Sequence, residues 1–136
     1  MTPYRAPGWL PGGQAQTLWP LLIKAPPLPL RRERWDTPDG DFIDVDHLDA
    51  PAGAPLLVLF HGLEGSARSH YAISTAHACK QQGWRLAIPH FRGCSGELNR
   101  RPRAYHSGDS DEIDWILRRL QQANVGQRLH AAGISL

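Results

Sequence analysis

Leu56-Leu57-Val58-Leu59-Phe60-His61-Gly62-Leu63-Glu64-Gly65-Ser66 is the stretch that decides the fold. Five consecutive apolar residues are the pattern of a strand buried on both faces of a parallel sheet. The run stops at His61-Gly62 and passes into a Gly-rich loop. Downstream, Ser69 to Gln82 has helical character, with Ile73, Ala76 and the Lys80 stem expected inward, and Gly83 is placed to end it in the left-handed conformation. Trp84 to Pro89 repeats the buried-strand pattern, and a long loop rich in Arg and Gly follows from Phe91 to Ser107. Asp109 and Glu112 stand at capping-box spacing, with Asp111 adding to an acidic first turn. Ile113, Ile116, Leu117 and Leu120 then recur as one face of a helix that Asn124 and Gly126 stop. Arg128 to Ile134 reads as a further strand. This alternation predicts an α/β fold with a doubly wound, mostly parallel sheet of about five strands and two main helices.

Upstream, Arg31 to Thr37 and Phe42 to Leu48 flank Pro38-Asp39-Gly40-Asp41. Pro presets φ in that turn and Gly accepts a positive φ, so two antiparallel strands are expected. Phe42/Asp44/Asp46 alternate with Ile43/Val45/His47, a weak period of two that fits a strand near a sheet edge. Residues 1–30 are dense in Pro and Gly. They form an arm with a short helix from about Gly12 to Leu22, and Trp9, Leu18, Trp19 and Leu22 are expected to anchor it on the body. Residues 31–136 are read as the N-terminal part of one α/β domain.

The chain has 136 residues, 41% apolar and 21% charged, which is the composition of a globular protein. Its 15 basic residues are interspersed with 13 acidic ones for a net charge of +2. That distribution gives no basic stripe of the kind nucleic-acid binding needs. Cys79 and Cys94 are too few for a disulfide framework and lack C-x-x-C spacing, so free thiols in a reducing compartment are expected. The N-terminus has no signal-peptide pattern, and the apolar run Pro55 to Phe60 is far shorter than the ~20 residues of a membrane span. A cytoplasmic protein without membrane insertion is expected.

Gly133-Ile134-Ser135-Leu136, following a strand, begins the pattern G-x-S-x-G, a sharp strand-to-helix turn that exposes a strained Ser. Alone this is weak evidence. His61-Gly62 after the earlier strand lies where such enzymes place one oxyanion donor, and Phe91-Arg92-Gly93-Cys94-Ser95-Gly96 follows the next strand. The three motifs in this order single out Ser135 as a candidate nucleophile.

With these motifs in place, the sequence resembles the YheT-like branch of the α/β-hydrolases, related to the eukaryotic ABHD proteins. The resemblance rests on Trp9-Leu10-Pro11-Gly12-Gly13 with Gln16-Thr17, on Pro38-Asp39-Gly40-Asp41, and on His61 to Ser66 with Ser69-His70-Tyr71. It continues through His90 to Glu97 with Asn99-Arg100, and through Tyr105-His106-Ser107-Gly108. Gln14 departs from the family's His in this arm motif. The resemblance implies an α/β-hydrolase fold and a Ser-His-Asp hydrolase of carboxylic esters. Ser135 matches the nucleophile, and the backbone N–H groups of Leu63 and Leu136 match the oxyanion donors. It implies a small-molecule ester as substrate and no cofactor. In such enzymes the acid and the His follow the Ser in chain order. Both are therefore expected beyond Leu136, and the 136 residues alone are expected to be inactive.

Other constellations have blander readings. His61 is expected to pack or bond to loop backbone, and His90 and His106 to anchor loops. Asp39, Asp41, Asp44 and Asp46 lack the spacing of a calcium loop and are expected on a solvated face. Arg92, Arg100, Arg101 and Arg103 are expected to pair with Glu97, Asp109 or Asp111 in preference to binding an anion. The five tryptophans are read as packing residues. A second reading of the chain is a non-catalytic binding module or fragment that retained the fold.

Overall fold

The computed structural model describes residues 5–22 and 25–135. Eight elements follow in chain order: α1 (Gly13–Leu22), β1 (Arg31–Asp36), β2 (Phe42–Leu48), β3 (Leu56–Phe60), α2 (His70–Gln82), β4 (Arg85–Pro89), α3 (Ser110–Ala123) and β5 (Leu129–Gly133). The strands form one sheet in the order β1-β2-β4-β3-β5. Its β4-β3-β5 part is parallel, while β1-β2 and β2-β4 pair antiparallel. The sheet is therefore mixed, for a local reason. The turn closed by the Thr37 N–H on the Asp41 carbonyl (2.9 Å) is too short to cross over, so β2 must run back along β1.

Side chains of β3 alternate between the two faces. Leu56, Val58 and Phe60 join Trp35, Ile43, Val45, Ala87, Ile116 and Leu120 in a core beneath α3. Leu59 joins Ala72, Ala76, Cys79, Leu86 and Ile88 beneath α2. One helix covers each face, as a doubly wound sheet requires. Helix α2 ends at Gly83 in the left-handed conformation (φ 67°), with the Trp84 N–H returning to the Cys79 carbonyl at 2.8 Å.

Several expectations are corrected. The buried face of α2 is Ala72, Ala76 and Cys79, while Ile73 is only half-buried and Lys80 is exposed. Small residues let this helix lie close on the sheet. Strand β2 does lie near the sheet edge, one strand in, but it has no wet face. Residues Phe42 to His47 are all buried: Ile43 and Val45 join the core beneath α3, and Asp44 and Asp46 are covered by Arg34 and Arg32 of β1. The capping box does not form: Asp109 makes no side-chain cap bond, and it pairs with Arg103 at 2.5 Å. The arm's expected anchors are also exposed, Trp9 at 65% and Leu22 at 76%, and Trp9 packs edge-on against Trp19 instead (5.1 Å). Leu28 and Leu30, in the Pro-rich stretch, are the arm residues that pack on the core.

Candidate active site

The C-terminal ends of β3 and β5 lie side by side, and their register runs from Leu56 opposite Leu129 to Phe60 opposite Gly133. The Ile134 N–H then donates to the Phe60 carbonyl at 3.1 Å, which carries the pairing past the strand end. The His61-Gly62 turn and the Ile134-Ser135 segment are thereby brought into contact. Ser135 is exposed and has φ 59°, in the left-handed region that residues with a side chain rarely occupy. A Cβ placed on Gly62 would stand 2.7 Å from the Ile134 carbonyl oxygen and 3.2 Å from the Ser135 Cβ. Glycine at this position is what allows the two segments to touch.

The loop His61 to Ser66 is tied down at most of its backbone donors. The Gly62 N–H donates to the Tyr71 hydroxyl at 3.1 Å, and the Glu64 N–H donates to the Tyr105 hydroxyl at 2.6 Å. The Gly65 N–H returns to the Gly62 carbonyl at 2.9 Å. Among the described residues the Leu63 N–H makes no hydrogen bond, and its side chain is 74% exposed. Leu63 thus presents its backbone donor on the same loop that touches Ser135. Leu136, the other sequence-derived oxyanion donor, lies outside the described residues.

His61 adjoins this site, but both of its ring nitrogens are occupied. Nε2 accepts the Phe91 N–H at 3.0 Å, which leaves Nδ1–H to donate to the Gly62 carbonyl at 2.8 Å. His90 repeats the arrangement, with Nε2 accepting from Ala67 at 3.1 Å and Nδ1 facing the Asp44 carbonyl at 3.1 Å. Burial pushes both imidazoles below their ordinary pKa and keeps them neutral. They tie the β3 and β4 loops together, and neither has a nitrogen left to take a proton from Ser135.

The Arg-rich loop is held from below. Arg92 is buried and reaches three carboxylates: Asp39 at 2.8 Å, Asp41 at 3.0 Å and Glu112 at 2.7 Å. Asp41 is fully buried and also accepts from Asn99 Nδ2 (3.0 Å) and the Arg100 N–H (2.7 Å). Burial opposes its charge, yet these donors outweigh burial and bring its pKa down to about 2. Glu112 behaves oppositely: burial raises its pKa despite Arg92. The acids Asp41, Asp44 and Asp46 are thus not a solvated face, which corrects the sequence reading. Asp44 and Asp46 are buried against Arg34 (2.8 Å) and Arg32 (2.7 Å) on the neighbouring strand. In the Arg loop, Arg103 pairs with Asp109 as expected, whereas Arg100 goes to Asp36 and Glu97 is taken by Arg34. Among the described residues no group of three or more His, Cys, Asp or Glu is arranged to hold a metal ion, and no helix is long and apolar enough to cross a membrane.

Sequence reasoning did not assign a role to Tyr71 or Tyr105. Both stand in the motifs Ser69-His70-Tyr71 and Tyr105-His106-Ser107-Gly108, but the Glu64–Tyr105 bond joins residues 41 positions apart, and no local signal foretells it.

The fold and this pair of strand-end loops define a class, that of the α/β-hydrolases. Solved structures agree. A serine hydrolase homologue from Coxiella burnetii superposes with a TM-score of 0.61 at 17% identity, covering 77% of this chain and 51% of that one. An α/β serine hydrolase without lid from Xanthomonas campestris gives 0.61 at 21%, covering 82% and 54%. No protein-family model matches the chain. Over 107 residues, 76% of this chain, it is 47% identical to "Putative esterase YheT" of Escherichia coli (strain K12), covering 32% of that protein. It is 27% identical to "Phospholipase ABHD3" of Mus musculus over 94% of this chain and 33% of the relative. The chain belongs to the YheT-like, ABHD-related branch of the α/β-hydrolase family. It spans about a third of the length of these curated relatives.

Proposed function

We propose that this chain carries the nucleophile and oxyanion loop of a serine hydrolase that acts on small carboxylic esters. The observation that supports the reading most is the contact of Gly62 with Ile134-Ser135, where Ser135 has φ 59°. A left-handed Ser at the end of a parallel strand has its Oγ exposed above the sheet. In this reading Ser135 Oγ attacks the ester carbonyl and passes its proton to a His. The Leu63 and Leu136 N–H groups hold the carbonyl oxygen as it becomes an oxyanion. Each such donor contributes about 2.7–4 kcal/mol to the transition state. The His then returns its proton to the departing alcohol, and water attacks the acyl-enzyme by the same route in reverse. No cofactor enters the scheme, and the site is expected in the cytoplasm.

The triad acid and His are assigned to positions after Leu136 on the Ser-acid-His chain order of the α/β-hydrolases. His61 and His90 spend both ring nitrogens on the scaffold, which speaks against either as the base. A Ser without its base stays protonated and weakly nucleophilic. Residues 1–136 alone are therefore read as inactive toward esters. The test is p-nitrophenyl ester turnover and fluorophosphonate labelling of the full-length protein. Both are expected to vanish in Ser135→Ala, and persistence of either overturns the assignment.

A further inference from the structure

Four residues of the loop after β3, Gly62 to Gly65, can each donate one backbone N–H. Three of those donors are taken: Gly62 by the Tyr71 hydroxyl, Glu64 by the Tyr105 hydroxyl, and Gly65 by the Gly62 carbonyl. The one left over among the described residues is Leu63, flanked on both sides by N–H groups that end on tyrosine oxygens. Leu63 is exposed, so its N–H can bond to water at rest and stays available to an incoming acceptor, while the donors on either side are committed to the tyrosines.

The two tyrosines approach from different elements. Tyr71 stands in the first turn of α2, and its hydroxyl lodges against Gly65, where a Cβ would collide with it. Tyr105 comes from the long loop before α3. Its ring stacks on Phe91 at 5.3 Å with an 8° interplanar angle, and it meets His61 edge-on at 6.4 Å. Phe91 is in turn fixed by its N–H on His61 Nε2. Tyr105 thus enters on a rigid aromatic stack. Glu64, which its hydroxyl receives, has φ 51° without being glycine. Such a conformation costs of order 1–3 kcal/mol and persists only where surrounding contacts impose it. The Tyr105 bond is a contact of that kind. A relaxed Glu64 would rotate the peptide plane next to it, and the Leu63 donor lies one residue away.

We propose that Tyr71 and Tyr105 are positioning residues for the oxyanion hole, holding the Gly62 and Glu64 peptides so that the Leu63 N–H faces the reacting carbonyl. This rests on the serine-hydrolase reading above. Each hydroxyl accepts a loop N–H, so their effect runs through backbone geometry. The oxyanion forms only in the transition state, so a misaimed Leu63 donor lowers kcat and leaves ground-state binding alone.

The experiment uses the full-length protein with Tyr105→Phe and Tyr71→Phe, each keeping the ring and losing only the acceptor oxygen. Fluorophosphonate titration counts the competent sites, so that misfolded molecules drop out of the comparison. Per titrated site, kcat for a p-nitrophenyl ester is expected to fall about tenfold or more in each, with KM within about twofold of the parent, since deleting a donor outright costs about 10²–10³. The inhibition constant of a boronic acid, which mimics the tetrahedral state, is expected to rise by the same factor as kcat falls. Unchanged kcat per site in the folded variants, or a loss confined to the number of sites, overturns the proposal. Should one variant fail to fold, the other carries the same test. Ser135→Ala run in parallel separates the two failures: its residual activity would sink the nucleophile reading, whereas an inactive Ser135→Ala beside fully active tyrosine variants sinks only the positioning role.

Discussion

Gly62 and Ser135 meet with no room for a side chain between them: a Cβ on Gly62 would stand 3.2 Å from the Ser135 Cβ and 2.7 Å from the Ile134 oxygen. A 2.7 Å approach to backbone oxygen is one that the chain can relieve only by moving a strand end. Gly62→Ala is therefore expected to cost about 1–3 kcal/mol of stability, as overpacking does. It should also separate the β3 loop from Ser135. Urea unfolding of the full-length protein checks the first part. The rate of fluorophosphonate labelling checks the second, with at least a roughly tenfold slowing expected from loss of near-attack geometry. An Ala variant as stable and as reactive as the parent would mean that the two segments are not in contact.

Arg92 offers a second test, away from the chemistry. Its buried guanidinium bonds to Asp39, Asp41 and Glu112 together. Removing Arg92 takes the Nε–H donor from buried Glu112 and a cation from Asp39 and Asp41, although Asp41 keeps Asn99 and the Arg100 N–H. Breaking a buried ion pair costs about 3–5 kcal/mol. Arg92→Met is expected to lose stability in that range. Arg92→Lys is expected to recover only part of it, because a point charge cannot match three carboxylates with a planar fork. Urea midpoints of the two variants decide the matter. Equal stability of all three proteins would show the cluster to be energetically idle.

How far the sequence alone foretold this molecule varies by element. Leu56 to Phe60 was legible as a strand because five apolar residues bounded by turn signals allow few other fates, and β2 and β3 fall within the ranges read from pattern. The left-handed Gly83 was legible for the same local reason. The acids were not. Asp44 and Asp46 alternate as a wet face would, and what buries them is the register that sets Arg34 opposite Asp44 and Arg32 opposite Asp46. Register depends on a second strand, so no window on β2 alone contains it. Asp109 and Glu112 look like a helix cap until Arg103 and Arg92 arrive from elsewhere and claim them. At the site, the motif order pointed to the His61-Gly62 turn and Ser135 and the family resemblance added Leu63, whereas the tyrosines that bound the loop depend on contacts across the fold.

The paired histidines predict a pH dependence of stability in the neutral-to-acid range. His61 and His90 each accept a backbone N–H at Nε2, so protonating either one breaks a bond and places a charge in a buried site. Burial holds their folded pKa values below the ordinary 6.5, and His47 is shifted the same way, again by burial first. Between the folded and unfolded pKa values the unfolded chain binds more protons than the folded one. Stability therefore rises with pH across that window, and it is lost as pH falls below about 6.5. Asp41 adds a separate loss further down: its pKa of about 2, against an ordinary 3.8, contributes stability that is present above 3.8 and disappears as pH falls toward 2. Urea midpoints of the full-length protein from pH 8 to pH 5 should fall most steeply below about 6.5. In His90→Gln, which can still accept the Ala67 N–H but cannot take a charge, part of that slope should be gone. A midpoint that is flat from pH 7 to pH 5, or a slope that His90→Gln leaves untouched, would show that these imidazoles are not held neutral by the fold.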